Sequence, residues 1–444
     1  MNRLAEKALA GFVAAATLAA IGAGVVTLMK RSKDGGLIAG ADAFEAVGAV
    51  YERDEFANLP GWVLDKTDDA LPAFLRSCER ISNSAAGANF SLVDAGLAGA
   101  AADWSEACEA GARVSGQPYA DSNARTSAVR TFFEYYFRPV KVSARLAAKK
   151  DGPAAGAPPH EDPLGRFTGY FEPFYEASPE RTPVFSTPVY ARPDDLISVD
   201  LGRFRPELAG QRIAGKLKDG VLEPYPDRAE INQGALVGKT RALAWMRPSD
   251  SFFLQIQGSG RLSLPDGELR VGYDGANGQP YTAIGRTLID KGALTRDNVS
   301  MQTIRGWLDS ATDADARAVR ESNRSFVFFR VLDALPDNEL GPLGAEGVQL
   351  TPGRSLAVDP RYVPYGAPVW ISIDARPDQG KFPVRRLLVA QDTGGAIKGA
   401  VRGDIFVGSG PLAGDVAGDF NELGEFYVLL PKALAEKLPA AGAR

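Results

Sequence analysis

An α+β fold, predominantly β, is predicted by this sequence: a helical N-terminal region followed by a β-rich body. Three observations carry that reading. Segments between residues 35 and 150 place apolar residues three or four apart. The stretch "KKDGPAAGAPPHEDP" then breaks the chain with Pro, Gly and Ala. Beyond it the segments turn short, aromatic and β-branched, separated by Pro, Gly and Asp.

Taken in order, the first element spans residues 1–34, where no charge interrupts a run of Ala, Gly, Val, Leu and Ile between Lys7 and Lys30. At about 1.5 Å per residue in a helix, that run reaches across a bilayer. A cleaved signal peptide opens in the same way, so signal and uncleaved anchor both stand. No cysteine follows the run to carry a lipid, and basic residues on both flanks leave orientation unset.

The helical region, 35–150, includes "DALPAFLRSCERI", "SLVDAGLAGAAADWSEACEA" and "SAVRTFFEYYFRPVKV". Its Cys78 and Cys108 are the chain's 2 cysteines. If the N-terminus directs export, they meet an oxidising compartment and fit a disulfide between neighbouring helices; two free buried thiols are the alternative. Residues 151–163 read as a linker that contains His160.

From 164 to 335 the segments "GRFTGYFEPFYEAS", "TPVFSTPVYAR", "DSFFLQIQGSGRLSL" and "ELRVGYDG" read as strands. "AIGRTLIDKGAL" and "NVSMQTIRGWLDS" form a helical interval, the second capped from "DNVS". Strands resume in "SFVFFRVLD" and continue through 336–444 in "RSLAVDP", "APVWISI", "VRRLLVAQD", "GDIFVG" and "EFYVLLPK". No fixed-period repeat is present, which argues against solenoids and propellers.

Composition narrows the function. The 444 residues carry a net charge of −5 without a basic run in the body, so nucleic acid is not expected as a partner. A single histidine removes most histidine triads and zinc sites, and neither metal nor organic cofactor is expected. Carboxylates remain. Asp392 lies in "DTGG", a turn that resembles half of an aspartic-protease dyad, but the chain has one such turn and polar Gln391 precedes it. Asp404 opens the apolar segment "GDIFVG". A carboxyl held against apolar groups or beside Asp392 has a raised pKa and stays protonated, as a general acid requires.

Six blocks then carry a resemblance: "AQDTGGAIKGAVRGDIFVG", "LAVDPRYVPYGAPVWI", "GYFEPFYEAS", "FFLQIQGSGRL", "GYDGANGQPYTAIG" and "NRSFVFFR". In this order, over residues 164 to 432, the chain is similar to the membrane-bound lytic murein transglycosylase A family. Asp359, Asp392 and Asp404 match the three-aspartate pattern of that family's C-terminal module. The resemblance implies a double-psi β-barrel assembled from discontinuous pieces, a second β-barrel-like inserted domain within 164–335, and a groove between them for a peptidoglycan strand. It implies cleavage of the β-1,4 bond between N-acetylmuramic acid and N-acetylglucosamine, leaving 1,6-anhydro ends. Asp404 is then the acid and base, Asp392 orients it or raises its pKa, and Asp359 ties down the "VDPRY" turn.

Substrate-binding candidates are Gln255, Gln257, Ser259, Tyr273, Asn277 and Tyr281, which supply amides, a hydroxyl and stacking faces for sugars. Each also has a plain reading as core tyrosine or turn amide. The expected setting is periplasmic, with the membrane met through the N-terminal segment, while 35–150 either pads the barrel or binds cell-wall or division proteins. The alternatives are a non-catalytic expansin-like glycan binder and a barwin-like hydrolase. The hydrolase needs a second reactive carboxylate, for which Glu172, Asp274 and Asp415 are to be placed.

Overall fold

The computed structural model describes residues 44–442 apart from 84–94, 152–153, 206–207, 209–210, 297, 334 and 375–382. The apolar run read as signal or anchor lies outside the described residues. Among the described residues no helix is long and apolar enough to cross a membrane.

Strand β1 (Phe44–Arg53) leads to helices α1 (Leu71–Ser82), α2 (Ala101–Ser115) and α3 (Ser122–Tyr136). Leu71, Phe74, Cys78 and Ile81 bury one face of α1 at helical spacing, and Asp121 caps α3 by accepting from Ala124 N at 2.8 Å. Cys78 and Cys108 form a disulfide that staples α1 to α2.

The helical reading of 35–150 needs correction at both ends. β1 is a strand, and α3 stops at Tyr136, where the chain passes directly into β2 (Phe137–Ala148). Pro139 lacks a helical donor and biases Arg138 towards an extended conformation, while Val140 and Val142 suit a strand. β1 and β2 pair antiparallel, from Phe44 opposite Ala148 to Arg53 opposite Val140. The linker also contains a short strand, β3 (His160–Asp162), paired with β2. His160 packs there edge-on against Phe44, ring centroids 4.7 Å apart.

β4 (Gly165–Glu172) precedes the insert, which holds β5 (Phe174–Glu176), β6 (Thr187–Tyr190), β7 (Ile197–Asp200), β8 (Arg212–Lys218), β9 (Val221–Pro224) and β10 (Ala242–Met246). Helix α4 (Pro248–Gln257), β11 (Ser259–Leu264), β12 (Gly267–Ala276), helices α5 (Ile284–Asp290), α6 (Met301–Ser310) and α7 (Asp313–Glu321), and β13 (Val327–Val331) complete it. The chain returns through β14 (Ser355–Val358), β15 (Pro368–Ile373), β16 (Val384–Asp392), β17 (Arg402–Ser409), α8 (Pro411–Asp419) and β18 (Asn421–Pro431). "DSFFLQIQ", expected as strand, is α4. An apolar run of that length fits either state, and Pro248 in its first turn favours the helix.

β4, β17, β14, β16, β15 and β18 pair in that sequence, and β18 pairs back to β4, closing a ring. Two of its pairings are parallel, β14 with β16 and β17 with β4. β4 comes from the far side of the insert, so this barrel is built from discontinuous chain. All residues of β15 are buried because one face fills the barrel and the other meets the helices. A single apolar cluster joins Leu71, Phe74, Trp104 and Phe133 of the helices to Leu356, Val369 and Leu388 of the barrel.

The insert has its own closure. β13-β12-β11-β5 form one sheet and β10-β6 another. Bridges between Ala191 and Phe329 and between Ser178 and Trp245 join the two into a barrel-like ring. A third sheet, β7-β8-β9, projects beside it.

Candidate active site

Register brings two of the aspartates together. Ala357 of β14 stands opposite Asp404 on β17 and also opposite Asp392 on β16, after a bulge at Leu356–Ala357. On the other side Thr168 of β4 stands opposite Asp404. With side chains alternating along each strand, Thr168 and Tyr170 share one face of β4, and Arg402 and Asp404 share one face of β17. Gly403, between the latter two, lies so close to the Phe167 ring that an added Cβ would stand 2.8 Å from it.

Asp404 is half-buried, and Thr168 Oγ1 donates to its Oδ1 at 2.5 Å. Thr168 in turn accepts from Arg402 Nη2 at 2.8 Å, so a guanidinium is relayed through a hydroxyl to the carboxyl. Burial pushes the Asp404 carboxyl up to about 6; Arg402 and Thr168 oppose that rise, and Asp392 adds to it.

Asp392 is held differently. Tyr170 OH donates to its Oδ2 at 2.7 Å, while Ala345 N and Thr393 N both donate to its Oδ1 at 2.9 Å. Burial raises its pKa and those three donors limit the rise. Burial, and then Asp392, push the Tyr170 phenol well above its ordinary value, so it stays a donor.

Asp359 is fully buried and does not share this environment. Its oxygens accept from Arg361 Nη2 at 2.6 Å and from Gly399 N at 2.8 Å. Burial works against its charge, yet the Arg361 guanidinium and the Gly399 and Arg361 amides hold it below the usual carboxylate value. It ties the turn after β14 to the loop between β16 and β17.

The binding candidates scatter through the insert. Gln255 is buried and accepts from Val327 N at 3.2 Å; Gln257 is half-buried and accepts from Phe171 N at 3.2 Å, at the seam with β4. Ser259 is buried on β11 opposite Gly272. Asn277 is fully buried with its amide committed, donating to Pro226 O and Arg324 O and accepting from Phe326 N and Gln279 N. Tyr273 and Tyr281 are exposed. Burial raises both the Tyr273 and Tyr365 phenols; the Arg212 guanidinium on β8 opposes each rise, and Asp392 adds to the one at Tyr365.

Thr168, Tyr170, Arg402 and Ala345 complete the site, and none of them was a sequence candidate for catalysis or binding. "FTGYF" and "VRGD" carry the period-2 signal that places Thr168, Tyr170 and Arg402 on the aspartates' side. Ala345 contributes only a backbone amide, which no sequence pattern marks. Glu172 is fully buried in a cluster with Arg270, Arg261 and Ser409, bonded at 2.6 Å to Arg270 Nε. Among the described residues no group of three or more His, Cys, Asp or Glu could hold a metal.

Comparison with known proteins gives two family matches, the MltA specific insert domain over residues 166–330 and the 3D domain over 354–430. The chain is 35% identical over 269 residues to the membrane-bound lytic murein transglycosylase A of Escherichia coli K12, a match over 60% of this chain that spans 65% of that relative's length. A solved membrane-bound lytic murein transglycosylase from Agrobacterium tumefaciens is 33% identical with TM-score 0.70, over 87% of this chain and 99% of that one. The E. coli MltA structure with bound chitohexaose is 27% identical with TM-score 0.54, over 81% and 90% of the two chains.

Proposed function

This chain belongs to the membrane-bound lytic murein transglycosylase A family, and we propose that it cleaves peptidoglycan lytically, with Asp404 as its single acid and base. The observation that carries the proposal is the Asp404 carboxyl itself, half-buried, pushed up to about 6 and fixed by Thr168. In the first step its proton passes to the leaving glycosidic oxygen between N-acetylmuramic acid and N-acetylglucosamine as that C–O bond breaks. In the second, the resulting carboxylate takes the proton of the muramyl C6 hydroxyl while O6 bonds to C1. Asp404 is protonated again, and the product carries a 1,6-anhydro end.

A hydrolase would need a second carboxylate as nucleophile or water activator. Asp392 is engaged by three donors, Asp359 by Arg361 and Gly399, and Glu172 by two arginines. Those engagements argue against these three as a hydrolase's second carboxylate; Asp274 is half-buried on β12 of the insert and Asp415 is exposed on α8. Asp392 instead holds negative charge near Asp404 and delays its ionisation. Asp359 acts through the loop it anchors.

The glycan strand would lie between the aspartates and the insert face that carries Tyr273 and Tyr281, with Gln257 and Ser259 lining the seam. The chitohexaose bound in the E. coli relative's structure supports a saccharide as the ligand. Asn277, its amide committed, and Gln255 would shape the insert from within. The two parallel pairings of the closed ring fit a double-psi barrel. A periplasmic protein tethered through its N-terminal segment, working without metal or organic cofactor, completes the reading.

Purified protein incubated with peptidoglycan is expected to release anhydro-muropeptides, identified by mass. Asp404→Asn should lower the rate at least about a thousandfold, as expected when a sole acid and base is lost. Reducing-end products would refute the lyase mechanism, and glycan binding without products would favour the expansin-like alternative.

A further inference from the structure

Ala345 N, one of the three donors on Asp392, belongs to a turn that the barrel does not build alone. In that turn Gly347 N donates to Gly344 O and Glu346 N donates to Gln391 O at 3.1 Å. Gly344 lies so close to β16 that an added Cβ would stand 2.4 Å from the Gln391 carbonyl oxygen. The Glu346 side chain turns inward and accepts from Ser77 Oγ of α1 at 2.8 Å.

From Ser77 the bonds run on into β16. Ser77 Oγ accepts from Gln391 Nε2 at 2.9 Å, and Gln391 Oε1 accepts from Ser355 Oγ at 2.5 Å. Gln391 Nε2 donates as well to Ala73 O at 2.8 Å. Ser77, Ser355 and Gln391 are fully buried and Glu346 is 7% exposed. The Ser77 and Ser355 hydroxyls each donate once along this chain, which limits its freedom to slip. Packing alone would be served by apolar side chains at these positions, because buried polar groups cost stability unless every partner is in place.

Gln391 and Asp392 are neighbours on one strand, but their side chains bond to different layers. Gln391 reaches the helical layer and Asp392 reaches the site. We propose that Ser77, Gln391 and Glu346 are positioning residues through which helix α1 sets the Ala345 turn and, with it, the Asp392 carboxyl beside Asp404. The proposal rests on the transglycosylase reading and gives the helical region a part in the reaction. Burial pushes the Glu346 carboxyl up to about 8, leaving it a neutral acid at neutral pH that a glutamine imitates.

The test compares wild type, Glu346→Met and Glu346→Gln by two readouts: hydrogen–deuterium exchange of the peptide spanning 343–348, and kcat and KM on isolated glycan strands. In Glu346→Met the Ser77 hydroxyl loses its acceptor; exchange in that peptide should rise and kcat fall, each about tenfold, with KM within about twofold of wild type. Glu346→Gln should keep both readouts within about twofold of wild type, because its amide oxygen still accepts from Ser77. Unchanged exchange in Glu346→Met overturns the proposal whatever the kinetics. Faster exchange with unchanged kcat overturns the positioning role. A wild type that releases no product overturns the functional reading and the positioning role with it, an outcome separable from the others because it appears without any substitution.

Discussion

Burial raises the Asp404 carboxyl, and Thr168, with Arg402, restrains that rise. The Thr168 hydroxyl donates to the carboxyl and accepts from Arg402, favouring the ionised form. On the proposed mechanism Asp404 must begin protonated, and burial pushes its carboxyl up to about 6. kcat/KM should therefore be level below that pH and fall about tenfold per unit above it. Thr168→Val removes a hydrogen bond that stabilises the charged form, so the descending limb should move to higher pH. A rate profile between pH 4 and 9 checks the direction, and a shift to lower pH would contradict this account. Thr168 escaped the sequence reading because nothing local marks a threonine in a strand as an acid's partner. Asp404 was legible, because a carboxylate opening an apolar strand is itself unusual.

At the scale of elements, α1 and α2 depend on the Cys78–Cys108 bridge, which closes a separation of 30 residues. The Cys78→Ser/Cys108→Ser double variant should lose about 2–4 kcal/mol in a urea titration, on chain-entropy grounds. Loss of less than about 0.5 kcal/mol would mean that the shared apolar cluster holds these helices without the bridge. Most of these elements were legible, since the strands from "RSLAVDP" to "EFYVLLPK" and the helices at 284–290 and 301–310 follow their hydrophobic periods. Two misreadings share a cause. The aromatic run of "FFEYYFRPVKV" hides a change from helix to strand at Phe137, and "SFFLQIQ" is apolar on so many positions that no period separates helix from strand. Tertiary contacts on more than one side allow such runs, and the same contacts erase the signal.

In the whole molecule, the buried cluster at Glu172 joins barrel to insert. Glu172 ends β4, Ser409 ends β17, and Arg261 and Arg270 come from β11 and β12. Both arginines also donate to the returning segment, at Asn338 O and Leu340 O. Glu172→Ala leaves the buried Arg270 and the half-buried Arg261 guanidiniums without their shared carboxylate and should cost about 3–5 kcal/mol, measured by chemical unfolding. A cost below about 1 kcal/mol would show that the crossing strands alone fix the two units.

The sequence by itself determined the class of fold, the order of most strands and the two aspartates that meet, because hydrophobic period and glycine-rich turns are local properties of the chain. It also located the pair of cysteines and left their state open. Only the tertiary structure decided that Asp359 is locked by Arg361, that Asn277 is spent inside the insert, and that the helical layer shares a core with the barrel. It alone brought the Ala345 amide to Asp392 and tied Ser77 of the helical layer to Glu346 and Gln391. These facts depend on which strand lies beside which and on backbone amides at long sequence separation, where pairing across the closed ring, rather than any residue's own chemistry, sets the neighbours.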